Sequence, residues 1–271
     1  MKLLEGKKGI IFGALDDKSI AWRTALKVKE AGGEFTLTNA PVALRMGKIK
    51  ELGELCNTEV IAADATNMED LQKLFEQSTE KMGKLDFILH SIGMSPNVRK
   101  KRAYTDLNYD YLHKTLDISA FSFHRVMQTA YKMDAMNDWG SILGLSYIAA
   151  QRSFPDYGDM ADAKATLESI ARSFGYHFGT KNNVRVNTVS QSPTRTTAGS
   201  GVKGFDEFFG YAEKMSPLGN ADVESCADFC VMMFSDYTRM MTMQNLYHDG
   251  GFSNMGMNPA LLMSDNEKSE S

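Results

Sequence analysis

Hydrophobic and polar positions follow two rhythms along the chain. Short apolar runs at 8–13, 34–38, 58–62, 85–89, 139–146, 183–190 and 245–249 predict strands. Between them, apolar positions recur every three to four residues over 19–31, 42–55, 68–81, 108–135, 205–215 and 222–234, which predicts helices. Ser19 stands at the start of the first helix, and Gly32 and Gly33 at its end. Strands and helices alternate throughout, and the strands read as buried on both faces. That pattern predicts an α/β protein with one doubly wound parallel sheet of about seven strands and helices on both faces. No repeat or composition break divides the chain, so 1–263 are expected to form a single domain. The polar, acidic stretch 264–271 is expected to be a disordered tail. Residues 194–204, rich in Thr, Gly and Ser, predict a mobile loop.

Composition narrows the function classes. The 271 residues are 43% hydrophobic, enough for a sizeable core, and the net charge of -4 argues against nucleic acid as the main partner. No apolar run approaches the roughly 20 residues of a membrane span, and the first residues lack the apolar stretch of a signal peptide. Cys56, Cys226 and Cys230 form no disulfide framework, and a reducing cytoplasm is the expected compartment. Cys226 and Cys230, at i and i+4, are expected to be small buried side chains. The 18 methionines read mostly as core filler, a few of them lining an adaptable apolar pocket. His90, His113, His124, His177 and His248 show no metal-ligand spacing, so no metal is expected.

Ligands of a doubly wound sheet bind beyond the carboxyl ends of its strands. Gly13 follows the first strand, and Ser19 and Ile20 open the next helix. This is either an ordinary turn or a seat for a pyrophosphate on a helix N-terminus. Asp64 and Ala65 follow the third strand, where a carboxylate accepts from an adenine amino group or simply starts a turn. Ser91, Ile92 and Gly93 follow the fourth, where backbone meets ligand closely. After the second strand no Asp or Glu awaits a ribose 2′-OH. Arg45 and Lys48 are near enough in sequence for a 2′-phosphate, although a solvated helix face is the favoured explanation of both. After the fifth strand come Tyr147, Tyr157 and Lys164. Tyr157 and Lys164, seven positions apart, share one face if both lie on a helix, with Pro155 in its first turn. Such a pair grips one ligand, the phenol offering a proton and the ammonium a fixed charge.

Taken together, these residues resemble the bacterial enoyl-acyl-carrier-protein reductases, divergent short-chain dehydrogenases with a Rossmann-like sheet. The resemblance runs from about Leu4 to Gly251. It is carried by Gly13 with Ser19-Ile20-Ala21, His90-Ser91-Ile92-Gly93, Leu145-Ser146-Tyr147, Pro155-Asp156-Tyr157 with Lys164-Ala165, Val184-Arg185-Val186-Asn187, Pro193-Thr194-Arg195-Thr196, Ala198-Gly199-Ser200-Gly201 and His248-Asp249-Gly250-Gly251-Phe252. It implies that Tyr157 donates to the thioester carbonyl of the substrate. Lys164 would hold the nicotinamide ribose, and Tyr147 would shape the acyl pocket. It implies cofactor contacts at Gly13, Ser19, Ile20, Asp64, Ala65 and Ile92, and a substrate contact at Ser95. Thr194, Arg195, Thr196, Thr197 and Ala198 would cover the nicotinamide and begin a substrate lid. NADH is the favoured cofactor, with NADPH open. The partner is an enoyl thioester on acyl carrier protein, and the assembly a homotetramer paired through long helices.

The chemistry agrees with the resemblance. Hydride arriving at the β-carbon of an enoyl thioester puts negative charge on its carbonyl oxygen, where a donor is needed. A neutral tyrosine supplies one, and a nearby ammonium stabilises the charge and is expected to lower the phenol pKa. Carbonyl reducers of the superfamily place a Ser where Gly144 stands, 13 residues before Tyr157, whereas here Tyr147 precedes it by ten. That favours enoyl over carbonyl reduction. Ser146 is read as structural. A carbonyl reductase of the same fold and a dinucleotide-sensing protein without turnover are the rival functions. Ser190-Gln191-Ser192 departs from the family's Ala-Gly before the proline, and a side chain at Ser192 is expected to narrow the space near the nicotinamide. The basic run Arg99-Lys100-Lys101-Arg102 is expected to be a solvated loop, the alternative being a landing site for acidic carrier protein shared with Lys203. His90 is expected to pack rather than act as a base.

Overall fold

The computed structural model describes residues 2–197, 199 and 204–261. Ala198, Lys203 and the expected tail at 264–271 lie outside the described residues. Seven strands, β1 (Lys8–Phe12), β2 (Glu34–Asn39), β3 (Val60–Ala62), β4 (Leu85–His90), β5 (Met136–Ser146), β6 (Arg185–Gln191) and β7 (Asn245–His248), form one sheet. Their order is β3-β2-β1-β4-β5-β6-β7, and every neighbouring pair is parallel. The chain builds outward from β1 to β3, then returns through α4 (Met68–Met82) to lay β4 on the other side of β1. The loops after β1 and β4 therefore leave in opposite directions, which opens a crevice between them.

Alternation along each strand feeds two cores. Ile10 and Phe12 of β1 pack with Phe75, Phe123 and Phe178 beneath α4, α7 (Ser122–Lys132) and α8 (Met160–Asn182). Ile11 packs with Leu37, Phe87 and Phe234 on the opposite face, beneath α1 (Ile20–Glu30), α3 (Ile49–Cys56) and α10 (Val223–Phe234). Both faces of the sheet are thus covered, as the doubly apolar strands require. Cys56, Cys226 and Cys230 are free and buried.

Several boundaries differ from the expected ones. The helix expected over 42–55 is two helices, α2 (Pro41–Met46) and α3. The break falls at Gly47 because a Cβ there would sit 2.6 Å from the Leu15 carbonyl, and Lys48 N–H donates to that carbonyl at 2.8 Å. The helix expected over 108–135 is α6 (Tyr109–Leu116), one π-turn (Asp117–Phe121) and α7. β5 starts at Met136 rather than 139, with a bulge opposite Leu85–Phe87. β6 starts only at Arg185, because Asn183 is the left-handed cap of α8. The largest correction concerns Tyr157. It lies in a separate 3-10 turn (Pro155–Tyr157), Gly158 follows at φ +53°, and α8 begins at Met160. Tyr157 and Lys164 are therefore not on one helix face, and Pro155 opens the short turn, not the helix.

Candidate active site

Every expected site residue among those described lies just past a strand's carboxyl end, or on the turn or helix that follows. Gly13 takes φ +94°, and a Cβ on it would stand 2.0 Å from the Ser91 carbonyl oxygen, so the loops after β1 and β4 cross in contact. Ser19 caps α1. Its Oγ accepts from Trp22 N–H at 3.4 Å and Leu15 N–H at 3.3 Å and donates to the Asp16 carbonyl at 2.8 Å, which places Ile20 as the first helical residue. Asp64 holds the turn after β3 by accepting from Thr66 N–H at 2.9 Å and Thr66 Oγ at 2.8 Å, with Ala65 buried inside it. Arg45 and Lys48 are exposed, in keeping with a solvated face.

The second half of the site gathers around Lys164. Its ammonium is buried and donates to the Leu145 carbonyl at 2.6 Å. A Cβ on Gly93 would come within 3.1 Å of Met160 and 3.8 Å of the ammonium, so the backbone after β4 passes close to Lys164. Backbone at Ser91 to Gly93 near this ammonium suits a ribose and nicotinamide, and the capped head of α1 suits a pyrophosphate. The rings of Tyr147 and Tyr157 lie 4.8 Å apart at 48°. Phe154 stands 5.6 Å from Tyr147, and Phe208 of α9 (Phe205–Met215) and Phe252 extend the aromatic group. Phe154 and Phe208 were not singled out from the sequence, and Phe252 only as the end of a motif, because single phenylalanines carry no periodic signal and the three meet only in the fold.

Burial sets the protonation of these groups. It pushes the Tyr157 phenol up, and burial together with Tyr157 and Asp249 pushes up that of Tyr147. Both phenols are therefore donors at neutral pH. Burial alone sets the shift of Tyr157, and the expected lowering by the Lys164 ammonium is not seen. Burial lowers Lys164 to about 8, against Glu168 one turn on. His90 is held down to about 3 by burial and Lys164. It pairs with Ser122 Oγ at 2.8 Å and packs on Phe123, the neutral packing role expected of it.

Other side chains turn away from the expected contacts. Ser95 Oγ is buried and donates to Asp159 Oδ1 at 2.6 Å. Ser192 is buried, and its Oγ accepts from Ala221 N–H at 3.0 Å. Gln191 fixes the same stretch, with Nε2 on Thr194 Oγ at 3.2 Å and Oε1 against His248 Nδ1 at 2.7 Å. Beyond it, Arg195 pairs with Asp206 at 2.5 Å and stacks over Phe209, Gly199 N–H donates to Thr196 Oγ at 2.9 Å, and Thr197 Oγ donates to Asp16 at 2.6 Å. The Thr197–Asp16 bond joins the stretch after β6 to the loop after β1. Ser146 Oγ donates to buried Glu168 at 2.6 Å, a structural role. A Cβ on Gly144 would meet Phe123 at 3.1 Å and Leu167 at 3.3 Å, so this position faces the α7–α8 layer and is tightly packed against it.

The family model for enoyl-(acyl carrier protein) reductase matches residues 13–253. The enoyl-[acyl-carrier-protein] reductase [NADH] 1 of Rhizobium meliloti is 33% identical over 257 residues, 94% of this chain and 93% of that protein. Among solved structures, the FabI–NADH complex from Alistipes finegoldii is 63% identical, covers 94% of this chain and 91% of that one, and superposes with a TM-score of 0.93. The NADH enoyl-[acyl-carrier-protein] reductase of Aquifex aeolicus is 30% identical, covers 94% and 100%, and gives a TM-score of 0.87. With a family model spanning most of the chain and a curated relative aligned almost end to end, the chain belongs to the enoyl-(acyl carrier protein) reductase family.

Proposed function

We propose that Tyr157, Tyr147 and Lys164 are the working groups of this enoyl-acyl-carrier-protein reductase. The enzyme reduces the trans-2 double bond of enoyl thioesters in fatty-acid elongation with NADH. The observation that carries the site assignment is the close pair of phenols, both kept protonated by burial, with the buried Lys164 ammonium on the helix that follows them. NADH, when bound, supplies the hydride. Tyr157 donates a hydrogen bond to the thioester carbonyl where negative charge gathers. Lys164 exchanges the Leu145 carbonyl for ribose hydroxyls and keeps a positive charge near that oxygen. Tyr147, with Phe154, Phe208 and Phe252, walls the acyl chain. Gly13, Ser19, Ile20, Asp64, Ala65, Ser91, Ile92 and Gly93 line the cofactor side, and Thr194 to Thr197 begin the lid. No carboxylate follows β2, so NADPH is the second reductant to run beside NADH.

Acyl carrier protein is the proposed carrier of the substrate. Arg99 and Lys101 are its proposed approach surface, because Arg102 is paired with Asp106 and Lys100 lies against Tyr111. We further propose a homotetramer. Tyr109, Phe121 and Tyr176, on α6, the π-turn and α8, stay exposed in the single chain, which supports pairing through these helices. The free thiols support the cytoplasm as compartment.

Following NADH consumption with crotonyl and acetoacetyl thioesters tests the reaction. Turnover on the enoyl substrate is expected. Activity confined to the keto substrate, or NADH binding without any oxidation, overturns the reading. Tyr157→Phe should lower turnover roughly 100-fold or more with NADH affinity nearly unchanged.

A further inference from the structure

Two residues after Tyr157 stands a carboxylate with no counter-charge. Asp159 is fully buried, and among the described residues it has no Lys or Arg ion pair. Its Oδ1 accepts from Ser95 Oγ at 2.6 Å, and its Oδ2 from Asn97 Nδ2 and Thr115 Oγ, each at 2.8 Å. These donors come from two helices. Ser95 caps α5 (Pro96–Arg99), holding Val98 N–H at 3.0 Å. Asn97 is clipped to the backbone of Asn108, donating to its carbonyl at 3.1 Å and accepting from its N–H at 3.0 Å. Thr115 is in the last turn of α6. A carboxylate only accepts, so it suits three converging donors, and burial excludes water as a substitute.

The hub stands where the turn of Tyr157 lacks support from regular structure. Tyr157 is in a single 3-10 turn, and Gly158 at φ +53° separates it from α8. Its hydroxyl has no hydrogen-bond partner among the described residues, so nothing at the phenol end orients the ring. Orientation must come from the packing of its ring and from the backbone that follows. Asp159 clamps that backbone to the stretch after β4, the stretch that also carries Gly93 beside Lys164. One residue before Ser95, Met94 is held from the other side by Ser119 of the π-turn, which accepts from its N–H at 3.0 Å and donates to its carbonyl at 3.1 Å.

We propose that Asp159 is a positioning residue for the reduction: it fixes the Tyr157 turn against the Ser91–Ser95 loop, so that the phenol meets the carbonyl oxygen on which charge develops. The hub also accounts for the inward turn of the Ser95 hydroxyl, whose task is to hold Asp159. The inference rests on the reading of Tyr157 as the donor. It differs from a packing role in what it couples: the effect of Asp159 on turnover passes through Tyr157.

The test is a double-mutant cycle on the full chain. Asp159→Ala is expected to lower kcat about 10- to 30-fold, with KM for a crotonyl thioester and NADH affinity changed less than about threefold. On the Tyr157→Phe background the same substitution should cost little more. Thr115→Val removes one donor from a distance and should lower kcat by a smaller factor, again only when Tyr157 is present; it serves also if Asp159→Ala fails to fold. Asp159→Asn, which keeps one acceptor, should recover part of the rate. Factors that multiply undiminished in the double variants, or an unchanged kcat in Asp159→Ala or Thr115→Val, overturn the inference while leaving Tyr157 in its role. Full turnover in Tyr157→Phe alone overturns that role and this inference with it.

Discussion

The two halves of the site are built by different means. The half after β1 and β3 is made of backbone and of side chains that bond their near neighbours: Ser19 with Asp16, Asp64 with Thr66, and Gly13 by having no side chain at all. The half after β5 and β6 is made of side chains that meet across long stretches of sequence: Phe154 with Phe208 and Phe252, Asp159 with Ser95, Asn97 and Thr115, Gln191 with His248. The first kind of site presents fixed N–H groups and open space, which suits a cofactor shared by many enzymes. The second sets a particular shape and protonation state, which suits a substrate.

The sharpest way to break this comparison is Gly13→Ala. If the cofactor half depends on backbone approach, one methyl should damage it more than any single side-chain removal nearby. The substitution places an L-residue at φ +94°, costing roughly 1–2 kcal/mol, and drives a methyl into the Ser91 carbonyl, 2.0 Å from its ideal place. The loops after β1 and β4 must part. NADH affinity should fall about 100-fold or more and Tm by about 5 °C or more, measured by NADH fluorescence and thermal denaturation. Unchanged NADH affinity would show that contact between these two loops does not set the cofactor half.

A second measurement reads the electrostatics of the substrate half. Lys164 titrates near 8 in the folded protein, below the ordinary 10.5, because it is buried. Between these values the unfolded chain holds a proton that the folded chain has released. The unfolded state binds more protons there, so stability rises with pH across that window. Relative to Lys164→Met, in which the other groups titrate alike, the wild type should gain up to roughly 3 kcal/mol between about pH 8 and 10.5. Urea denaturation of both proteins at the two ends of the window measures it. A difference that stays flat means that the ammonium is solvated and the site wetter than its packing indicates.

The same division explains what could be read from the sequence. The parallel sheet, the order of its elements and the places of Gly13, Ser19 and Lys164 were legible, because strand burial, helix caps and tight turns leave local marks. The aromatic wall and the Asp159 hub were not, since Phe154, Phe252, Asn97 and Thr115 are ordinary residues until the fold brings them together. Tyr157 was found for a partly mistaken reason. Its spacing from Lys164 suggested one helix face, whereas a 3-10 turn and Gly158 intervene. The phenol pKa was expected to fall under the ammonium, but it rises, because burial depends on neighbours far away in sequence. The Ser95 hydroxyl turns inward, a detail that only the position of Asp159 decides.

The smallest expected effect asks whether the substrate half extends to the surface. The hub ends in α5, and the basic run begins at its last residue, Arg99. Two of the four charges are engaged locally: Arg102 bonds Asp106 at 3.0 Å, and Lys100 lies over the Tyr111 ring at 4.6 Å. Arg99 and Lys101 are exposed, and Lys101 takes φ +54° where the helix ends. Charges of this kind act on encounter rather than on the bound state, and salt screens them. The double variant Arg99→Glu/Lys101→Glu should therefore lower kcat/KM about 3- to 10-fold for an enoyl thioester on acyl carrier protein at low salt. The loss should shrink as ionic strength rises. The same acyl group on N-acetylcysteamine, which carries no charge, should be reduced at the wild-type rate. An equal loss on both substrates would trace to damage at α5 and the hub beneath it, and no loss on either would return the run to a solvated loop, confining the substrate half to the interior.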